Sequence, residues 1–196
     1  LWGTTTPTIS SGTLPTYWRI KSGTPGTKGG IFIGDKRFSR QKKGVFNFVV
    51  KWERITNGRI YVGLTDQGAS DTFFGSATSC ATNSWNCILL RYDTSASDAN
   101  WQLITSTGGA QTVTSCGAAT PPTATFTALQ FDLTTLGTIT INELASDGTK
   151  TQLCSITSGN FPAATTGMAL IAGANDTNGT AFGTDFAWVS GVQNFQ

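Results

Sequence analysis

The sequence predicts an all-β protein built as an antiparallel sandwich, and three observations carry that expectation. Only 12% of the 196 residues are charged, Gly numbers 23 and Thr is abundant; Thr suits pleated strands and Gly suits turns. Short β-branched and aromatic runs alternate with polar bends, most clearly from Asn86 to Cys116. There Ile88-Leu89-Leu90-Arg91-Tyr92, Trp101-Gln102-Leu103-Ile104-Thr105 and Gln111-Thr112-Val113-Thr114 are separated by Asp93 to Asp98 and by Gly108-Gly109, the pattern of a meander. No window carries a long, capped apolar period of 3.6 residues. A chain of this length is one domain with room for a substantial core.

In chain order, Leu1 to Ser11 reads as an extended Thr/Ser-rich arm, followed by short strands at Tyr17–Ile20 and Ile31–Ile33. Gly34-Asp35 is expected to turn the chain into a basic segment. Val45 to Trp52 alternates cleanly, with Phe46, Phe48, Val50 and Trp52 on one face, as a half-buried strand should. Asn57-Gly58 is a hairpin signal, so this strand is expected to pair with Arg59–Leu64. After Pro121-Pro122 come Phe126–Leu133 and Gly137–Leu144, an Asp147-Gly148 hairpin turn, and Lys150–Ile156. Gly167–Gly173, a polar tip from Asn175 to Thr180, and Phe182–Val189 close the chain. About a dozen strands at such spacings indicate a sandwich. The expected division is an N-terminal arm and basic segment, 1–44, packed on the same domain or on a neighbouring subunit, and a sandwich, 45–196.

Charge is unevenly distributed within a net of +2. Residues 1–59 carry eleven Lys/Arg against Asp35 and Glu53, a net of +9, whereas residues 60–196 carry Arg91 and Lys150 against nine carboxylates, a net of −7. Lys36, Arg37, Arg40, Lys42 and Lys43 form a basic run that could meet an anionic partner or an acidic face of a neighbouring subunit. No nucleic-acid motif accompanies it, so a nucleic-acid partner is not expected. The four cysteines allow three pairings. Cys80 and Cys87 flank a short loop suited to closure by a disulfide, which leaves Cys116 with Cys154 on strands expected to lie side by side. His is absent and no metal-ligand spacing occurs, so disulfides and an oxidising, extracellular setting are expected, with no metal and no cofactor, and free thiols in an intracellularly assembled particle are the rival reading. No run reads as a membrane span or a signal peptide. The chain begins at Leu1, which suggests processing or a larger parent.

Arg59-Ile-Tyr-Val-Gly-Leu-Thr-Asp66 followed by Leu90-Arg-Tyr-Asp93 resembles the centre of the concanavalin A-like lectin/glucanase jelly rolls. Asn100-Trp101-Gln102, Thr114, Phe126–Phe131, Ile139–Asn142, Asn160-Phe161-Pro162 and the final run Gly183–Val189 extend the resemblance over residues 45–190. It implies a jelly-roll sandwich, and it is similar to modules on bacteriophage and other virus appendages. The resemblance further implies an extracellular or virion-surface structural or attachment module, able to bind glycan. Such a module would assemble with copies of itself, as a trimer in such settings, and with other virion or surface proteins.

The resemblance also tests for catalysis. Hydrolases of this kind place Glu-x-Asp-x-x-Glu on one strand, and retaining chemistry needs two carboxyls about 5–5.5 Å apart. Here the only Glu residues are Glu53 and Glu143, on different strands. Lyases need a His or Tyr base near an Arg, and only Tyr17, Tyr61 and Tyr92 could serve. An enzyme is therefore not expected. For sugar binding the candidates are Trp85 inside the cysteine loop, Trp101 and Tyr92, whose rings could stack, with Asp93, Asn100, Asn175 and Asp176 as polar contacts. The last four are also ordinary turn residues. Asn175-Asp-Thr and Asn178-Gly-Thr are glycosylation sequons.

Overall fold

The computed structural model describes residues 2–3, 8–10, 17–21, 28–67, 76–117, 120–177 and 183–193, and fourteen strands fall within them. They are β1 (Trp2–Gly3), β2 (Thr8–Ser10), β3 (Tyr17–Lys21), β4 (Lys28–Phe38), β5 (Val45–Trp52), β6 (Gly58–Thr65), β7 (Cys87–Asp93), β8 (Gln102–Thr107), β9 (Ala110–Ser115), β10 (Thr127–Asp132), β11 (Ile139–Leu144), β12 (Lys150–Ile156), β13 (Met168–Asp176) and β14 (Gly183–Val192). One helical turn, α1 (Ser79–Thr82), precedes β7. Two seven-stranded antiparallel sheets result. Sheet A runs β1-β4-β13-β6-β7-β8-β9 and sheet B runs β12-β11-β10-β5-β14-β3-β2. This is the antiparallel sandwich that the alternation predicts and the jelly roll that the resemblance implies.

The core lies between the sheets. Phe46, Phe48, Val50 and Trp52 of β5 face Ile60, Val62 and Leu64 of β6, Ile88 and Leu90 of β7, and Leu170 and Ala172 of β13. Edge-to-face aromatic pairs, Phe48 with Phe131 at 5.4 Å and Trp52 with Trp101 at 5.4 Å, fill its centre.

The hairpin expected at Asn57-Gly58 does not form. β5 pairs with β10 and β14, whereas β6 pairs with β13 and β7. Both strands carry an apolar inner row, and each buries it by facing the other across the core, so the turn crosses between sheets. Asn57 takes the left-handed φ that the turn needs, +53°. The Asp147-Gly148 signal, in contrast, joins β11 to β12 as expected, and Gly108-Gly109 joins β8 to β9. Gly34-Asp35 is not a turn out of the sheet. It lies in an irregularity of β4, where Ile33 pairs with Leu170 but Phe38 pairs with Met168, leaving the intervening residues bulged outward.

The segment read as an arm, Leu1 to Ser11, holds β1 and β2, and the strands expected at Tyr17–Ile20 and Ile31–Ile33 are β3 and the middle of β4. β4 lies inside sheet A beside β13, and β3 pairs with β14 in sheet B. This geometry withdraws one residue, Arg40, from the basic run. Lys36, Arg37 and Lys43 are exposed, and the Lys42 ammonium donates to the Arg37 carbonyl at 3.3 Å. Arg40 is buried, its guanidinium donating to the Pro162 carbonyl at 2.7 Å and lying 4.8 Å over the Phe161 ring. Burial lowers its pKa. Arg40 therefore clamps the 161–164 segment and is not part of a cationic surface.

Both disulfides form in the expected pairing. Cys116 and Cys154 are not side by side in one sheet, however. Cys116 follows β9, an edge of sheet A, and Cys154 sits in β12, an edge of sheet B, with 4.7 Å between their Cα atoms. The bond closes one side of the sandwich. It spans 38 residues, a loop whose closure constrains the unfolded chain by about 4 kcal/mol. We expect Cys116→Ser with Cys154→Ser to lower unfolding stability by about 3–4 kcal/mol, read from guanidinium titration of the two oxidised proteins. The spectrum of the folded state should be unchanged.

Candidate functional site

The outer face of sheet A holds the polar groups that need explaining. In β6 the residues facing away from the core are Arg59, Tyr61, Gly63 and Thr65, and in β7 they are Cys87, Leu89, Arg91 and Asp93, because inward and outward positions alternate. The register places Asn175, Arg59 and Asp93 in one cross-strand row, and Gly173, Tyr61, Arg91 and Gln102 in the next. A third row is apolar, with Ile171, Leu89 and Ile104.

This face is roofed by the segment leading into β7. Tyr61, Cys80, Cys87, Leu89, Ile104 and Ile171 form a second buried cluster, with Phe32 and Trp85 packed against it. Cys80 belongs to α1 in the roof and Cys87 to the sheet beneath, so their disulfide staples roof to floor. Asp66 holds the end of the segment, accepting from the Asn86 amide nitrogen at 2.6 Å and from its backbone N–H at 3.0 Å. The Tyr61 hydroxyl donates to the Ser76 carbonyl at 2.8 Å.

Charges on a face closed from water must be paired. The Arg59 guanidinium meets Asp93 at 2.5 Å, with side-chain exposures of 8% and 0%, and donates to Ser95 Oγ at 2.8 Å. Asp93 Oδ1 in turn accepts from the Ser95 backbone N–H and hydroxyl, capping the short turn 94–96. Arg91 binds Asp98 through two parallel bonds of 2.8 Å, a bidentate pair. Its remaining arm donates to the Ala77 carbonyl at 2.7 Å. Burial opposes the charge of Arg91, but the bonds to Asp98 outweigh it and raise its pKa. One guanidinium thus pins two loops together, the roof at 76–86 and the bend at 94–100.

The sugar-binding candidates named from the sequence are dispersed. Trp101 and Tyr92 lie in the inter-sheet core, 1% and 8% exposed, with rings 6.3 Å apart. Their faces are occupied by core packing, which corrects their reading as stacking platforms. Trp85 is half-buried on the roof, its indole packed on the second cluster. Asp93 is buried in its ion pair, and Asn100 is half-buried at the end of the bend. Asn175 and Asp176 are not a loop tip. They end β13 on opposite faces, Asn175 in the outer row beside Arg59 and Asp176 inward, 3.4 Å from Arg54. Asn175 is only 6% exposed, so a glycan on its sequon would have to displace this row; Asn178 lies outside the described residues. Among the described residues no cluster of His, Cys, Asp or Glu could hold a metal ion. Sequence reasoning missed Arg59 and Arg91 as buried anchors, named Tyr61 only among possible lyase bases, and placed Asp98 only in the polar bend. The available signal was an Arg two positions from a Tyr or Asp within an otherwise apolar strand.

No protein-family model matches the sequence, and no curated protein matches it. Solved structures do match in fold. The carbohydrate recognition domain of Emp46p, in a potassium-bound form, is 10% identical with a TM-score of 0.61, over 92% of this chain and 84% of that one. A legume lectin-like domain from Entamoeba histolytica is 10% identical with a TM-score of 0.58, over 91% and 84%. The alginate lyase AlyC3, in complex with dimannuronate, is 9% identical with a TM-score of 0.59, over 92% and 76%. These likenesses establish a concanavalin A-like fold. They include binding domains and an enzyme, and they lend no support to a virion or appendage role.

Arg91 and Asp98 offer a direct test of the paired-charge geometry. Asp98→Asn should destabilise the protein by about 3–5 kcal/mol by leaving the guanidinium uncompensated. Arg91→Met combined with Asp98→Leu should recover most of that loss. A double-mutant cycle by chemical denaturation reads both.

Proposed function

We propose that the chain is a non-enzymatic carbohydrate-binding domain of an oxidising, extracellular compartment, with its contact surface on the outer side of sheet A. One observation carries this reading: a single guanidinium, that of Arg91, locks the polar bend 94–100 through Asp98 and holds the start of the roof through the Ala77 carbonyl. Ser95 and Ser97 are exposed on the bend and Asn83 and Ser84 on the roof, while Asp98, Asn100 and Trp85 are half-buried. Rigid hydroxyl and amide groups on the bend, and a partly exposed indole on the roof, suit sugar hydroxyls and the apolar face of a pyranose ring. The likeness to carbohydrate recognition domains supports the same reading.

The chemistry of the face favours binding over cleavage. Its two carboxylates, Asp93 and Asp98, are each engaged by an arginine, so neither is placed to act as nucleophile or acid. Tyr61 stands near Arg91, as a lyase base would, but its hydroxyl donates to a carbonyl and burial raises its pKa. A phenol held in that way does not take a proton at neutral pH. The disulfides suit the oxidising setting. No helix of the described residues is long and apolar enough to cross a membrane.

A glycan array followed by calorimetry tests the proposal. Trp85→Ala should weaken binding by about tenfold or more, the loss of one stacking contact, while Asn100→Ala weakens it less. Trp85→Phe should retain most of the affinity and act as the folding control. An array without hits, or affinity unchanged in Trp85→Ala, overturns the assignment.

A further inference from the structure

We propose that β9 is a self-pairing edge through which two copies of this chain join sheet A to sheet A about a twofold axis. The four sheet edges differ in how they discourage strand addition. β1 and β2 are two and three residues long, and very short edges offer little to pair with. β12 opens with exposed Lys150, and its pairing with β11 is broken by a register shift at Ile141/Asn142; charge and bulges both protect edges. β9 has six residues, Ala-Gln-Thr-Val-Thr-Ser, with no charge, no proline and no register shift against β8.

Its outward hydrogen-bonding groups can be assigned. The Cys116 N–H donates to the Trp101 carbonyl at 2.8 Å. Bonded and non-bonded pairs alternate along an antiparallel ladder, so Thr114, Thr112 and Ala110 point toward β8. Gln111, Val113 and Ser115 direct their N–H and C=O groups away from the sheet. Among the described residues none bonds to these backbone groups. Val113 is also 47% exposed, one of the few large apolar side chains left in water among the described residues. It sits opposite Ile104 at the end of the apolar row on the outer face.

The strand is complementary to itself. Centred on Val113, an antiparallel copy sets Val113 against Val113 of the second copy, Gln111 against Ser115, and Thr112 against Thr114. The outward groups of the first two kinds of pair exchange backbone bonds. Val-Val and Thr-Thr are favourable cross-strand neighbours, and no like charges meet. The Cys116–Cys154 bond fixes the end of the strand, so little ordering is needed on association. A twofold contact of this kind is isologous and closes at two copies, which excludes fibre growth through the same edge.

The experiment is sedimentation equilibrium and native mass spectrometry of the oxidised chain from about 1 µM to about 1 mM, a range suited to a small interface. Backbone hydrogen exchange is followed in parallel. The expected result is a monomer–dimer equilibrium in which exchange at Gln111, Val113 and Ser115 slows as concentration rises. Val113→Pro removes an outward N–H that β8 does not use, and Val113→Lys sets two cations face to face. Each should weaken dimerisation at least tenfold with an unchanged melting temperature. Gln152→Lys on β12 should have no effect. A monomer throughout the series overturns the proposal, as does a dimer indifferent to Val113→Lys or one weakened by Gln152→Lys.

Discussion

The centre of sheet A is buried on both faces, and most of the remaining structure answers that constraint. Every residue of β6, β7 and β13 is buried. One face packs against sheet B, and the other lies beneath the 76–86 segment. In an antiparallel sheet with one wet face, arginine or aspartate at alternate positions would simply be solvated. Here Arg59, Arg91, Asp93 and Asp98 had to be neutralised in place, and the observed pairs do so by direct hydrogen bonds, bidentate in the case of Arg91. Such pairs add little net stability, because desolvation offsets much of their attraction. Their effect is on specificity of arrangement, since each pair has one geometry that leaves no charge bare.

The two disulfides act at complementary places. Cys80–Cys87 holds the roof to the sheet it covers, where a four-residue helix has little intrinsic stability of its own. Cys116–Cys154 acts at the side of the sandwich, tying the last strand of one sheet to the last strand of the other. Sandwiches separate most easily at their open sides, because edge strands have a neighbour on one side only. One bond therefore fixes a lid and the other fixes a seam.

Rigidity links these features to recognition. The loops at 82–85 and 94–100 are surface segments, yet both are anchored, the first by the Cys80–Cys87 bond and the Trp85 N–H to the Cys80 carbonyl, the second by Arg91 through Asp98. Loops ordered before a ligand arrives lose less entropy on binding. The buried network is thus better understood as the support of a contact surface than as the surface itself. That distinction also explains why aromatic residues in the neighbourhood have different fates. Trp101 and Tyr92 pack the core, whereas Trp85, carried on the stapled roof, keeps part of its ring in water.

Local sequence signals settle the class of fold and the position of most strands, since period-two alternation in β5 and turn residues at Gly108-Gly109 and Asp147-Gly148 act over a few residues. They point to the cysteine pairing too, because the short loop between Cys80 and Cys87 favours its own closure, and the folded chain decides it. Which strands are neighbours is beyond their reach. Val45–Trp52 and Arg59–Leu64 look like a hairpin locally, but the choice between pairing edge to edge and facing across a core rests on the burial available in the whole molecule. The same holds for the site. Whether Arg59 and Arg91 point to solvent or into a dry interface depends on the segment that covers sheet A, and it takes the folded chain to bring that segment, its disulfide and the two aspartates together.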